Sequence, residues 1–393
     1  MQEVVVAGAY RTAVGSFGKG LKDVPPADLG ATVLKAVLER TGVDPAEVGH
    51  VALGHVVNTE PRDMYLSRVA TLNAGLPHAT PAFNVNRLCG SGLQAIVSAA
   101  QTIQLGDANV AIGAGAENMS RAPYIAQGQR WGSRMGDSQM VDMMLGALAD
   151  PFDKIHMGVT AENVAERYGI TREQQDALAL ASHQRAQRAI EEGRFKEQIV
   201  PVTIRSRRGE VVFDTDEHVR HNATAEDFSS LRPVFIKENG TVTAGNASGI
   251  NDGAGAVMLM SAQAAQEKDI QPLARLVAYG HAGVDPLYMG IGPVPATQTA
   301  LNKAGLSIDQ MDVIEANEAF AAQACAVTKE LGMDDERVNP NGSGISLGHP
   351  IGATGAIITV KALHELHRIQ GRYALVTMCI GGGQGIAAIF ERI

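Results

Sequence analysis

Several residue types and sequence features are rare or absent in this sequence, and each of these absences argues against a class of protein. Only three cysteines occur among the 393 residues, far apart and odd in number, which argues against a disulfide framework and predicts a reducing, cytoplasmic setting. No run reaches the roughly 18 uninterrupted apolar residues of a membrane span. The opening MQEVVVAGAY lacks the basic start of a signal peptide and is predicted to form a strand.

Charged and aromatic residues are also scarce, at 19% and 4% of the chain, and the net charge is −9. A negative chain does not favour general binding of nucleic acid or of an anionic membrane surface. An anionic ligand would therefore need a local basic patch. Glycine, by contrast, is plentiful, with 43 residues, which is typical of a tightly turned α/β protein.

Hydrophobic periodicity alternates between strand-like and helix-like segments in the first part of the chain. Residues 4–7 and 51–57 are predicted to form strands, and residues 28–39 and 66–74 are predicted to form helices. Such alternation predicts a layered α/β architecture in which helices cover a sheet.

The alternation of strand-like and helix-like segments becomes irregular between residues 120 and 249 and is regular again after them. Six of the fourteen methionines fall between residues 119 and 157, and the basic cluster IRSRRG occupies residues 204–209. We interpret residues 120–249 as an inserted loop domain. The flanking parts, residues 1–119 with 250–270 and residues 271–393, would then form an N-terminal and a C-terminal half.

The two halves contain an internal repeat. The first unit consists of FNVN, a Gly-Ser-Gly turn, a helix-like run (93–103) and GDANVAIGAGAE. The second unit has the same parts in the same order: VNPN, a glycine-rich turn (342–355), a helix-like run (356–369) and GRYALVTMCIGGG. A duplicated domain would bring the ends of equivalent strands together at one site.

Cys89 lies in NRLCGSG, at a glycine-rich turn before a helix-like stretch. We expect it on the first turn of that helix, where unpaired N–H groups and the helix dipole favour a thiolate. A buried structural thiol is the alternative, but a glycine-rich turn is a poor place to pack one.

His349 and Cys379 occupy similar turns. His349 lies between glycine and proline in NGSGISLGHPIGATGA, and Cys379 opens CIGGGQG at a predicted strand end. One cysteine with one histidine would permit a cysteine hydrolase. Two cysteines with one histidine indicate acyl transfer to one sulfur and proton transfer by the other. EANEAFAAQ, which contains Asn317, is either a helix cap or part of the same site.

Six ordered segments, NRLCGSG, HMGVTAEN, VTAGNASGINDGA, EANEAFAAQ, NGSGISLGHPIGATG and CIGGGQG, resemble the signature segments of the thiolase family. The resemblance covers residues 4–393 and is nearest to bacterial short-chain acetyl-CoA acetyltransferases and the β-ketothiolases of polyhydroxyalkanoate pathways. It implies a thiolase fold, with duplicated α/β halves in a layered α-β-α-β-α arrangement and an inserted loop domain. Ser343 and Gly344 stand where many members carry Gly-Ala, a small change that could alter pocket shape.

The resemblance also implies catalytic roles. Cys89 would be the acyl-accepting nucleophile, His349 its base, and Cys379 the group that moves the α-proton of the second acyl-CoA. Asn317, through a water, and His349 would form one oxyanion hole, and the backbone N–H groups of Cys89 and Gly381 would form the other. Preset donors of this kind contribute roughly 3 kcal/mol each to the stabilisation of a developing oxyanion.

The same resemblance implies binding residues and an assembly. His156 and Ser248 would lie near the pantetheine of coenzyme A, Met157 and Met289 would line a short acyl pocket, and Arg220, helped by residues 205–208, would face the nucleotide phosphates. Coenzyme A and acyl-CoA would be substrates, with no permanently bound cofactor, no metal, and no nucleic-acid or membrane partner. The family implies a homotetramer, a dimer of dimers, and residues 119–150 are expected to mediate assembly.

Three alternatives accompany these expectations. A decarboxylating ketoacyl synthase shares the fold, but it uses histidine or asparagine partners where this chain has Cys379. A non-catalytic acyl-CoA-binding protein would not need both sulfurs. His364 and His367, one helical turn apart, could form a metal pair, but we interpret them as part of a solvated helix face.

Overall fold

The computed structural model describes residues 2–206 and 209–393, and this part of the chain contains fifteen strands and twelve α-helices. The strands are β1 (Val4–Thr12), β2 (Gly15–Ser16), β3 (His50–Gly54), β4 (Ala82–Val85), β5 (Val110–Asn118), β6 (Tyr124–Ala126), β7 (Met140–Asp142), β8 (Ile199–Val200), β9 (Val202–Ser206), β10 (Gly209–Phe213), β11 (Asn251–Ser261), β12 (Ala274–Gly283), β13 (Val313–Ala316), β14 (Tyr373–Ile380) and β15 (Gln384–Arg392). The helices are α1 (Pro26–Thr41), α2 (Leu66–Asn73), α3 (Ser91–Leu105), α4 (Met143–Ala147), α5 (Met157–Tyr168), α6 (Arg172–Glu191), α7 (Ala225–Ser229), α8 (Ala262–Glu267), α9 (Pro293–Ala304), α10 (Ala321–Leu331), α11 (Gly344–Leu347) and α12 (Thr354–Arg368).

The predicted repeat is confirmed by the strand pairing. In the first half β3 runs parallel to β5, which pairs antiparallel with β11, which pairs antiparallel with β1. In the second half β13, β14, β15 and β12 follow the same scheme in the same order. A short pairing of β1 with β12 joins the halves along one edge. Equivalent strands therefore end near each other.

Two helices, α3 and α12, form the layer between the halves. Both are apolar on nearly all sides, as expected for helices covered by sheet on two faces, and their buried side chains join one hydrophobic cluster with residues of both halves. The outer faces of the sheet are covered by α1 with α2 in the first half and by α9 with α10 in the second. The layers are therefore α-β-α-β-α, the arrangement that the family resemblance implies.

The segment between β5 and β11 holds helices α4 to α7 and two small hairpins, β6–β7 and β9–β10. The chain between β6 and β7 exposes large apolar side chains, with Trp131 at 89% and Met135 at 96% exposure. None of the helices within the described ranges has the length and apolarity needed to cross a membrane.

Two details differ from the expectations. The strand predicted over residues 51–57 ends at Gly54. His364 and His367 do not form a solvated helix face: each is partly buried and donates a ring N–H to a backbone carbonyl, of Ala9 (2.9 Å) and Leu273 (2.6 Å) respectively. These bonds tie α12 to the sheet.

Candidate active site

The ends of equivalent strands meet at a cavity of about 620 Å³. Cys89 reaches it from the turn after β4, Cys379 from the end of β14, and His349 from the loop before α12. Gly381 lines the same cavity. The chain therefore brings together both sulfurs and the one histidine that the sequence singled out.

Cys89 does not lie on the first turn of a helix, so that expectation is wrong. Helix α3 begins at Ser91 with Gly90 as its N-cap, and Cys89 precedes both. Leu88 adopts a left-handed backbone (φ 43°) that turns the chain at this point. A Cβ on Gly90 would lie 2.5 Å from Ile380 Cδ1, so only glycine lets the turn pack against the end of β14.

The ionisation of Cys89 also differs from expectation. Burial raises the pKa of its thiol to about 11, although hydrogen bonds from the backbone N–H groups of Gly381 and Cys89 act in the opposite direction. Desolvation therefore outweighs the backbone donors, and the sulfur is a neutral thiol at pH 7 in the absence of substrate. It needs a base. The same two N–H groups converge where the sequence predicts an oxyanion hole.

The loop that carries His349 is held at both ends by buried polar side chains. The backbone N–H of His349 donates to Asn251 Oδ1 (2.9 Å), and that of Gly352 donates to Glu117 Oε2 (2.9 Å). Gly348 has φ 110°, a conformation that favours glycine, and it packs directly against Asn251. The position of the ring is thus set by residues distant in sequence.

The imidazole of His349 has one bonded and one open nitrogen. Nδ1 lies 2.7 Å from Thr354 Oγ1 and 3.4 Å from Asn317 Nδ2. Nε2 has no hydrogen-bond partner among the described residues. Burial lowers the pKa of the ring to about 4, so at pH 7 it is a neutral base.

Cys379 is fully buried near the end of β14. Burial raises the pKa of its thiol, and the negative charge that Cys89 carries when ionised raises it further. Gly382 and Gly383, both at positive φ, turn the chain back into β15. Both sulfurs are therefore protonated at neutral pH in this arrangement.

Asn317 follows β13 directly, and its backbone N–H donates to Thr377 O on the neighbouring strand (3.0 Å). The next residue, Glu318, is buried and accepts hydrogen bonds from Ser182 Oγ (2.6 Å) and Asn339 Nδ2 (3.0 Å). These contacts fix the strand end that presents Asn317 to His349.

The Ser343-Gly344 pair lies behind this strand end. A Cβ on Gly344 would lie 2.6 Å from Glu318 O and 2.8 Å from Asn317 Oδ1. Ser343 is buried, and its Oγ has no partner within the described residues. The small residue at 344 therefore leaves the Asn317 side chain undisturbed.

Four predicted binding residues, His156, Met157, Ser248 and Met289, line the cavity. His156 caps α5, since its Nδ1 accepts from Gly158 N (3.0 Å). Its ring stacks on Phe235 with the centroids 4.6 Å apart, and Phe235 also lines the cavity. The wall opposite the sulfurs is thus mostly apolar.

Arg220 is exposed and lies outside the cavity lining, although it is close to it. Its guanidinium lies 5.6 Å from the Phe228 ring centroid, and its Nη2 donates to Ala244 O (3.4 Å); Ala244 lines the cavity. Residues 205–208 were expected to assist Arg220 at the phosphates. Arg205 forms an ion pair with Glu210, while Arg207 and Arg208 lie outside the described residues.

Sequence reasoning missed four residues that build the site: Thr354, Asn251 and Glu117 around His349, and Lys19 at the cavity. Lys19 and His218 both line the cavity. Burial, followed by the charges of Arg220 and Lys19, lowers the pKa of His218 to about 4. Lys19 is thus part of a cationic rim. VTAGNASGINDGA and NGSGISLGHPIGATGA contain Asn251 and Thr354, but nothing in their spacing connects either residue to His349.

Known proteins resemble this chain over its whole length. The family models described as the thiolase N-terminal and C-terminal domains match residues 4–263 and 270–392. A beta-ketothiolase of Cupriavidus necator is 70% identical over 392 residues, covering 100% of both chains, and an acetyl-CoA acetyltransferase of Chromobacterium violaceum is 52% identical, covering 99% of this chain and 100% of its own.

Solved structures show the same similarity over the whole chain. The acetyl-CoA acetyltransferase of Bacillus anthracis superposes with a TM-score of 0.97 at 49% identity, over 100% of this chain and 99% of its own. The human mitochondrial 3-ketoacyl-CoA thiolase in complex with CoA reaches 0.97 at 44% identity, over 100% of this chain and 98% of its own. With its duplicated halves, its two cysteines and its histidine at one cavity, the chain belongs to the thiolase family.

Proposed function

We propose that this chain catalyses the reversible Claisen condensation of two acyl-CoA molecules to a short-chain 3-ketoacyl-CoA and CoA. The observation that carries the proposal is the convergence of Cys89, Cys379 and His349 on one cavity. One sulfur can hold an acyl group while the other moves a proton. Relatives named beta-ketothiolase and acetyl-CoA acetyltransferase support the same activity.

The first half-reaction uses Cys89 and His349. Nε2 of the neutral imidazole takes the thiol proton as the sulfur attacks the thioester carbonyl, because a thiol with a pKa near 11 is not ionised beforehand. The backbone N–H groups of Cys89 and Gly381 stabilise the tetrahedral oxyanion. Coenzyme A leaves with the proton of Cys379, which remains as a thiolate. Nε2 of His349 keeps the proton from Cys89, and the acyl group stays on Cys89.

The second half-reaction uses Cys379. The Cys379 thiolate takes a proton from the α-carbon of the second acyl-CoA, and the resulting enolate attacks the acyl carbon on Cys89. Nε2–H of His349 and a water held by Asn317 stabilise the enolate oxygen. The expelled Cys89 thiolate takes the proton from Nε2 of His349, and the 3-ketoacyl-CoA leaves.

Coenzyme A would enter along the wall formed by His156 and Ser248, with Met157 and Met289 beside a short acyl group. We place its phosphates at the cationic rim, with Arg220 and Lys19 as their partners. Both cations lie close enough to His218 to lower its pKa, and a polyanion in a chain of net charge −9 needs such a local concentration of positive charge.

The homotetramer, the cytoplasmic setting and a place in polyhydroxyalkanoate synthesis belong to the same proposal. Exposed Trp131 and Met135 support assembly through the β6–β7 hairpin. The three cysteines are free thiols, which suits a reducing compartment.

A thiolysis assay tests the proposed activity. Purified protein is mixed with acetoacetyl-CoA and CoA, and loss of the enolate absorbance is followed. We expect turnover by the wild-type protein and none by Cys89→Ala. The assay is then repeated with longer 3-ketoacyl-CoA substrates, and kcat/KM is expected to be highest for short chains. Absence of thiolysis with every substrate would contradict the proposal.

A further inference from the structure

The inner side of the His349 ring meets a single hydroxyl group. Thr354 is the first residue of α12 and is 1% exposed, and its Oγ1 lies 2.7 Å from Nδ1 of His349. The same oxygen lies 2.9 Å from the carbonyl oxygen of Pro350. The hydroxyl therefore has two possible acceptors for its one hydrogen.

These two acceptors correspond to the two tautomers of the imidazole. When Nδ1 carries the ring proton, the hydroxyl donates to Pro350 O and accepts from Nδ1–H, which leaves a lone pair on Nε2. When Nε2 carries the proton, the hydroxyl donates to Nδ1 instead. Pro350 O then keeps the backbone N–H groups of Ala353 (2.8 Å) and Thr354 (2.9 Å) as donors. A hydroxyl satisfies both states because it is donor and acceptor at once.

The proposed reaction requires both tautomers of His349 in turn. As the base for Cys89, the ring needs a free lone pair on Nε2, and as a donor to the enolate oxygen it needs a proton there. Nε2 keeps the proton that it takes from Cys89, and Nδ1 releases its own proton to solvent before the second half-reaction. Nδ1 takes a proton back when Nε2 returns its proton to Cys89. The ring is therefore neutral at the start of each half-reaction.

We propose that Thr354 is a positioning residue whose hydroxyl supports His349 in both tautomers, so that one histidine serves both half-reactions. The inference rests on the proposed function, because it assigns His349 both roles. A partner that could only accept, or only donate, would favour one half-reaction at the expense of the other. A side chain without a polar group would leave Nδ1 only the longer contact with Asn317 Nδ2 (3.4 Å), which can donate to Nδ1 but cannot accept from it.

Three substitutions separate these cases. Thr354→Ser keeps the hydroxyl and should retain both half-reactions. Thr354→Val removes it at similar volume and should slow both by about 10- to 100-fold, less than the 10²- to 10⁴-fold of losing a general acid or base outright. Thr354→Asp, assayed at alkaline pH so that its buried carboxyl is ionised and only accepts, should retain acylation of Cys89 and lose condensation.

Thr359→Val is the matched control. Thr359 is buried in the same helix, and its Oγ1 donates to Gly355 O (2.7 Å), four residues earlier, as Thr354 Oγ1 can to Pro350 O. This variant should lose the same kind of helix hydrogen bond without changing either half-reaction. Thermal unfolding followed by circular dichroism compares the stability of the four variants.

Acylation is measured by mass spectrometry of the Cys89 peptide after rapid quenching with acetyl-CoA, and condensation by acetoacetyl-CoA formation. Wild-type rates for Thr354→Val would overturn the inference, as would condensation by Thr354→Asp at the rate of Thr354→Ser. So would equal catalytic losses in Thr354→Val and Thr359→Val. If wild-type protein forms no acetyl adduct, the proposed function fails, and the inference fails with it.

Discussion

At the scale of single residues, burial decides the protonation states of the site. It keeps both thiols protonated and His349 neutral, since the pKa of Cys89 rises to about 11 and that of His349 falls to about 4. The ground state is therefore a thiol beside an imidazole rather than an ion pair. Proton transfer has to accompany the attack on the thioester.

A first prediction concerns the nucleophile. Cys89→Ser should abolish acyl-enzyme formation, because a serine hydroxyl is a far weaker acid than a thiol and a neutral imidazole cannot activate it enough. Mass spectrometry after incubation with acetyl-CoA should show an acetyl group on the wild-type Cys89 peptide only. An adduct confined to Cys325 or Cys379 would show that the assignment is wrong.

The second sulfur allows a separate prediction. Cys379→Ser should still accept an acetyl group on Cys89 but should lose about 10² to 10⁴ in condensation rate, the scale expected for a general acid or base. Solvent deuterium exchange at the α-carbon of bound acyl-CoA should fall by a similar factor. Normal condensation would mean that the role given to Cys379 is wrong, and exchange that persists while acylation disappears would mean that the two roles are reversed.

The lowered pKa of His349 predicts how the rate of Cys89 acylation decreases at acid pH. The ring stays unprotonated as pH falls from 6.5 to about 4, so acylation should decline near pH 4 to 5 and not near 6.5. Between pH 6.5 and about 4 the unfolded chain binds a proton at this ring that the folded chain does not bind. The free energy of unfolding therefore also decreases as the pH falls through this range. A short pH jump before quenching, with circular dichroism as a control, separates the two effects. Half-maximal acylation near pH 6.5 would contradict the prediction.

At the scale of elements, the β6–β7 hairpin exposes more apolar surface than a surface hairpin needs. Replacing Trp131 and Met135 together by serine should reduce the proposed tetramer to a dimer, because in that proposal the removed side chains are buried against a second copy. Leu105→Ser is the control, because Leu105 is an apolar residue at the end of α3, outside the hairpin, and is itself 75% exposed. Light scattering gives the masses. An unchanged mass would count against assembly through this hairpin.

At the scale of the whole molecule, one buried ion pair joins the second half-sheet, the central helix layer and the catalytic loop. Lys361 Nζ on α12 lies 2.7 Å from Glu315 Oε2 on β13 and donates to Gly342 O (2.6 Å), and both side chains are fully buried. Burial raises the pKa of Glu315 to about 7, although Lys361 opposes the shift.

Lys361→Met should destabilise the protein by about 3–5 kcal/mol, the scale of leaving a buried charge without its partner. The loss should grow as pH rises from 6 to 8, because without Lys361 the pKa of Glu315 rises further and the folded variant keeps a proton that the wild type releases over that range. Urea midpoints at the two pH values test this. Adding Glu315→Gln should restore part of the stability, whereas Lys35→Met, which breaks an exposed pair with Glu39, should have little effect. A pH-independent loss would contradict the prediction.

Much of this protein follows from sequence alone. Alternating periodicity and the repeated turn-helix-strand units predict the layered, duplicated fold, because these patterns are local. Six ordered segments also led to the proposed catalytic residues, and each of these motifs carries its own turn. The division into residues 1–119 with 250–270, 120–249 and 271–393 stays a prediction.

Only the tertiary structure decided how those residues are held and protonated. Asn251 holds the backbone of His349 from 98 residues away, and Lys19 reaches the cavity from the turn after β2. No local pattern marks such contacts. The pKa of Cys89 was expected to be low from a place on the first turn of a helix, but it is high because burial, which depends on everything packed around the sulfur, outweighs two backbone N–H groups.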